Sequence, residues 1–211
     1  MLFRSYHPSV EFVEEILFRS DLLDIIGGSK EFIQFFTDDN VMFRRPKLTK
    51  ESLEKLWTLD PLALSLRIGK NTYIQTPGTS ERFNFPNSVN YEGFLVWNYN
   101  TGRFDNASYP LSVDGSIFKK SVIQELSESI KFSGPNSYEG ALYGTLPNKR
   151  KYMACLDESC VVGIPLNLVN TEIRNAAGLK FAQNVEEMNV KFYNGQDRKS
   201  TRLNSSHVSE S

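Results

Sequence analysis

Cysteine and histidine are scarce in this chain, with two of each among 211 residues. Cys155 and Cys160, separated by "LDES", have neither the spacing nor the number for a four-ligand zinc site. They read as buried, reduced thiols, which suits a reducing, cytoplasmic compartment. His7 is the one histidine outside the polar C-terminal tail and reads as a surface residue. Histidine-based triads and multi-histidine metal sites are therefore disfavoured. No run approaches the roughly 20 apolar residues needed to span a bilayer, no signal peptide is visible, and nothing calls for a membrane partner. Internal repeats, low-complexity segments and a phosphate-cradling glycine-rich loop are also missing.

The two ends differ in character from what lies between them. "DRKSTRLNSSHVSES" (Asp197 to Ser211) is polar, without hydrophobic period, and resembles a translated sequencing adapter. "MLFRS" (Met1 to Ser5) resembles the matching adapter at the other end. The expectation is that residues 1–5 and 197–211 are not native, and that 6–196 form one partial domain. Setting aside Arg4, Arg198, Lys199 and Arg202, with Asp197 and Glu210, moves the formal charge from −1 to −3. A mildly acidic chain lacks the clustered cations of a nucleic-acid binder.

What is present suits a globular core, with 40% hydrophobic and 12% aromatic residues in a length fit for one domain. "SVEFVEEILF" spaces Val10, Val13 and Ile16 as on a helix, and "EFIQFF" reads as a buried strand. In "LTKESLEKLW", Thr49 is a candidate N-cap, Glu51 lies in the first turn, and Leu53, Leu56 and Trp57 form an apolar stripe. "ALSLRI" alternates as a strand with Leu64, Leu66 and Ile68 on one face. Residues Asn71 to Tyr91 read as a long loop, then "GFLVWNY" as a strand. "DGSIFKKSVIQELSESI" reads as a turn entering a helix, with Ile117, Val122, Leu126 and Ile130 along its apolar side. "SGPNSYEGAL" gives a loop and a short helix carrying Glu139, "YMACL" and "CVVGIPL" two strands, and "AQNVEEMNVKFY" a closing helix. Alternating strands and helices predict an α/β sheet with helices on both faces. Ligands of such sheets collect at strand carboxyl ends.

Three stretches carry candidate chemistry. Asp38, Asp39 and Asn40 in "TDDN" close an apolar strand with two or three oxygen donors. Mg²⁺ or Mn²⁺ accepts such donors together with substrate phosphates. The plainer alternative is an Asp/Asn turn. Glu139 is either a general base for a hydroxyl or a surface residue offsetting a helix dipole in the first turn. Asp114-Gly115 is either a plain turn or a pair that binds sugar hydroxyls, with glycine allowing close backbone approach. Arg44 and Arg45 are either phosphate contacts or solvated surface cations.

The order "FFTDDNVMFRR", "LALSLRIGKNT", "YPLSVDGSIFKKSVI", "GPNSYEGAL", "CVVGIPLNLVN" resembles bacterial glycosyltransferases of the GT-A fold, close to family 2. The resemblance covers nearly all of Tyr6 to Gln196. It implies a GT-A-like mixed sheet flanked by helices, and "TDDN" at the family's Asp-x-Asp position. Asn40 stands in the place of the final aspartate. Asp38, Asp39 and Asn40 would then hold Mg²⁺ or Mn²⁺ on a nucleotide-diphosphate sugar. Asp114 and Gly115 fall in a segment that helps to form the acceptor side. Glu139 falls at the general base, although Gly140 follows where a second carboxylate is common. The implied reaction is inverting sugar transfer to an acceptor hydroxyl. The family's N-terminal nucleotide-binding strand or strands would lie before Tyr6, so the resemblance also implies an exposed apolar sheet edge and little activity. Two other classes stay open: a non-catalytic sugar-binding or scaffolding protein, and a metal-dependent phosphotransferase or phosphohydrolase.

Overall fold

The computed structural model describes residues 11, 13–37, 40–73, 82–100, 105–145, 149–163 and 190. Along these the chain forms α1 (Phe18–Gly28), β1 (Phe32–Gln34), β2 (Asn40–Met42), α2 (Lys50–Leu56), β3 (Ala63–Ser65), β4 (Val89–Tyr91), β5 (Phe94–Asn98), β6 (Ser116–Lys119), α3 (Lys120–Ser129), α4 (Pro135–Tyr143), β7 (Tyr152–Cys155) and β8 (Val161–Gly163). Six strands make one sheet in the order β1-β6-β3-β7-β5-β4, while β2 and β8 pair separately. Only β3 and β7 run parallel; the other pairs are antiparallel. The class is mixed α/β, a mixed sheet flanked by helices.

The central strands read as unbroken apolar runs because both of their faces are covered. Successive side chains alternate between two cores. Ile33, Ala63, Leu95, Trp97, Phe118, Met153 and Cys155 point into one, which α1, α3 and α4 seal with Ile26, Val122, Ile123, Tyr138 and Leu142. Phe32, Leu64, Phe94, Val96, Ile117 and Ala154 point into the other, closed by Leu53, Leu56 and Trp57 of α2 and its 3₁₀ extension and by Val161 of β8. The α2 start follows the expected chemistry. The Thr49 hydroxyl accepts the Ser52 amide at 3.1 Å, and the Ser52 hydroxyl accepts the Thr49 amide at 3.0 Å.

α1 and α3 cap each other. Lys120 Nζ, at the start of α3, donates to the Gly27 and Ser29 carbonyls at 2.5 and 3.1 Å, at the end of α1. Arg19, near the start of α1, donates through Nε to the Ile130 carbonyl at 3.2 Å and through Nη2 to Glu128 at 3.1 Å, at the end of α3. Each cation meets the carbonyls that a helix end leaves unpaired.

Four readings need correction. Of the helix expected over 9–18, the described residues 11 and 13–17 are not helical, and α1 begins at Phe18. Asp21 Oδ2 accepts the Ile16 and Leu17 amides at 2.7 and 2.8 Å, fixing these residues outside the helix, and Val13 and Ile16 are exposed. The face that docks carries Phe18, Leu22 and Ile26. Ile117 lies in β6, not on a helix, and faces the opposite core from Val122. Ile68 leaves Leu64 and Leu66 for the other core because β3 ends at Ser65 and the chain bends there. Val89–Tyr91, placed in the long loop, pairs with β5 as an edge strand. The closing helix lies outside the described residues except for Val190, which is helical. Met1 to Ser5, His7 and Asp197 to Ser211 also lie outside them. Among the described residues no helix is long and apolar enough to cross a membrane.

Candidate functional site

Strand register gathers the site. β6 is antiparallel to both β1 and β3, so its entrance lies beside their carboxyl ends. Ser65 pairs with Ser116; carried two residues outward, that register sets Arg67 opposite Asp114. The β1–β6 register, carried outward from Gln34↔Ile117, sets Thr37 opposite Asp114 from the other side. Asp114 thus stands where two registers meet.

Its carboxylate is occupied on both oxygens. Oδ1 accepts Thr37 Oγ1 and Asn40 Nδ2, each at 2.7 Å. Oδ2 forms an ion pair with Arg67 Nη1, and each of the two side chains is 27% exposed, so solvent screens the pair only in part. The Asn40 amide also donates to the Thr37 carbonyl at 3.1 Å. Asp38 and Asp39 lie outside the described residues. Asn40 Oδ1 is buried and has no hydrogen-bond partner. It is an oxygen donor of the type that a hard cation takes. Among the described residues, no three His, Cys, Asp or Glu side chains converge as a metal group.

Gly115 is buried with φ +72°, a conformation open to glycine. Its amide donates to the Phe35 carbonyl at 3.0 Å and its carbonyl accepts the Leu66 amide at 3.2 Å. The close approach it permits is therefore to Val161 and Arg67, where a Cβ would sit 3.0 Å from Val161 Cγ1 and 3.4 Å from Arg67 Cγ. Its backbone groups serve the sheet.

Glu139 is the fifth residue of α4, beyond the first turn, and is half-buried. The dipole-offset reading fails on that position. Its Oε1 accepts the Val113 amide at 3.1 Å. Burial raises the carboxyl pKa, and the Asp114 charge adds to this; the Val113 amide, the Ser112 hydroxyl and Arg67 act against it. Beside it, burial with the Glu139 and Tyr143 charges pushes the Tyr109 phenol up to about 12, and the Tyr109 ring stacks on Tyr143 at 5.0 Å. Glu139 and Asn40 are thus bonded to consecutive residues, Val113 and Asp114.

Arg44 forms an exposed ion pair with Glu158, and Arg45 is exposed. Both free cysteines are buried. Sequence reasoning missed Arg67, Thr37 and Ser112. For Arg67 a signal existed: a cation directly after the buried run Ala63–Leu66 calls for a carboxylate partner. Thr37 and Ser112 carried no such signal, because their roles come from register. In comparisons with known proteins, the chain matches no family model, no curated protein and no solved structure.

Proposed function

We propose that the chain belongs to a metal-dependent glycosyltransferase that moves a sugar from a nucleotide-diphosphate donor to an acceptor hydroxyl with inversion. One observation carries the reading: Glu139 and Asn40 are anchored to the adjacent residues Val113 and Asp114 at one end of the sheet. These two bonds support a reading in which an acid–base group and an oxygen donor serve one site. In this reading Asp38, Asp39 and Asn40 would hold Mg²⁺ or Mn²⁺, and such an ion would supply charge neutralisation for the departing diphosphate. Glu139, fixed by the Val113 amide, takes the proton of the acceptor hydroxyl as that oxygen attacks the anomeric carbon from the face opposite the leaving group. Its raised proton affinity favours that transfer. The sheet, with its parallel β3–β7 pair at the centre, is compatible with a GT-A-like arrangement.

The test is a panel of nucleotide-diphosphate sugars and hydroxyl acceptors with Mn²⁺, reading nucleotide release and sugar transfer together. Glu139→Gln is expected to keep Mn²⁺-dependent donor binding and to lose about a hundredfold or more of transfer. Transfer at the parental rate in that variant removes the base assignment. Free phosphate with no transferred sugar makes the protein a phosphohydrolase, and donor binding without turnover makes it a sugar-nucleotide binder.

A further inference from the structure

Arg67 has no place in the proton transfer or in the cation site proposed above, yet it binds the residue that stands between them. Its guanidinium pairs with Asp114 Oδ2. The other Asp114 oxygen holds Thr37 and Asn40. One residue away, the Val113 amide holds Glu139. A Cβ built on Gly163 would lie 3.7 Å from Arg67 Nη2 and 3.8 Å from Asn40 Nδ2, so both groups lie within van der Waals reach of the same point on β8. The segment Ser112–Asp114 is irregular and sits between these two sides. Its only charged tether to the sheet among the described residues is the ion pair to Arg67.

We propose that Arg67 is a positioning residue: by fixing Asp114 it sets Asn40 on one side and, through Ser112–Val113, Glu139 on the other. Asp114 is then a clamp for the protein's own groups, with three donors on its two oxygens, and not a ligand for sugar hydroxyls. The consequence for the proposed transfer rests on the preceding reading; the mechanical claim does not.

The experiment uses the full chain with Arg67→Ala, Arg67→Lys and Asp114→Asn. It reads amide exchange by NMR and Mn²⁺ affinity by electron paramagnetic resonance. Arg67→Ala is expected to speed exchange about tenfold or more at the Asn40 and Val113 amides, with Val96 and Ala154 of the β5–β7 pair unchanged, because the loss is local. Asp114→Asn should free the same two amides. Arg67→Lys should restore part of the protection, since a lysine keeps the charge and loses the planar fork. Mn²⁺ provides a test of sign. A bystander cation repels the metal, so its removal would tighten binding; a positioning residue predicts weaker binding, roughly threefold to tenfold, in Arg67→Ala.

Parental exchange at Asn40 and Val113 in both Arg67→Ala and Asp114→Asn overturns the proposal. So does tighter Mn²⁺ binding in Arg67→Ala. If the parent binds no Mn²⁺ while Arg67→Ala still frees both amides, the positioning role stands and the metal-dependent transfer falls.

Discussion

Glu139 Oε1 accepts the Val113 amide at 3.1 Å, a bond made from the second turn of α4 to the irregular approach to β6. Because burial raises the carboxyl above its ordinary value of 4.5, folding makes this group hold its proton more tightly than the unfolded chain does. Its contribution to stability is therefore complete below the unfolded pKa and lost as pH rises through the folded one. Glutamine carries no such titration. The melting temperature of Glu139→Gln, relative to the parent, should rise as pH climbs above the ordinary carboxyl value of 4.5, as read by thermal denaturation at a series of pH values. A difference that stays flat with pH would show that Glu139 is not held in a charge-unfavourable setting.

Gly115 and Gly28 offer a matched pair. Gly115 combines φ +72° with a Cβ position 3.0 Å from Val161 Cγ1. Gly28 sits in α1 with nothing within 4 Å of its Cβ position. Gly115→Ala should lower the unfolding free energy by about 1–3 kcal/mol, from backbone strain and the contact together. Gly28→Ala should leave it equal or raise it by up to about 1 kcal/mol, from helix propensity. Urea titration of both variants checks the pair. Equal effects would mean that the left-handed backbone at Gly115 carries no cost.

These local features show where the sequence speaks and where it falls silent. Thr49 announced its cap, and Leu53, Leu56 and Trp57 announced their face, because helix starts and helix stripes are written in neighbouring residues. The β-strands were readable as apolar runs. Their partners were not, since nothing within "SIFK" says that it lies between β1 and β3. The site depends on that missing information. Asp114 is an ordinary Asp-Gly turn in sequence, and becomes a hub only when register sets Thr37 on one side and Arg67 on the other. Ile117 shows the same limit from a different angle. Its spacing matched the helix that follows, but the turn chemistry of Asp114-Gly115 starts a strand, in which Ile117 and Phe118 face opposite cores.

The two thiols test the buried side of β7 and the loop before β8. Cys155 is fully buried and Cys160 is 2% exposed. Burial raises both thiol pKa values, so each lacks access as well as thiolate character. An aromatic disulfide reagent should label neither cysteine appreciably in the native protein, and both once urea unfolds it. If the labelling rate follows the global unfolding constant, both sites open only with the whole sheet. Fast native labelling of Cys160 alone would place its segment, next to Val161, among the locally opening parts.

The crossed caps of α1 and α3 lead to the last expectation. Arg19 closes the α3 end through two carbonyls and lies over the Phe132 ring at 5.6 Å, whereas Lys120 closes the α1 end through Gly27 and Ser29. Truncating either side chain leaves two carbonyls to water or to no partner, at about 0.5–2 kcal/mol each. The Arg19→Ala loss should be the larger, because the ring contact goes with the hydrogen bonds. Arg19→Lys should fall between, keeping charge without the fork that reaches both Glu128 and Ile130. The two caps lie at opposite ends of the helix pair and share no partner, so the double variant should equal the sum of the singles within about 0.5 kcal/mol. Chemical denaturation of the four proteins measures this directly. A double variant much less destabilised than the sum would mean that losing one cap already separates the helices, and that α1 docks on the sheet face through α3 more than through Leu22 and Ile26.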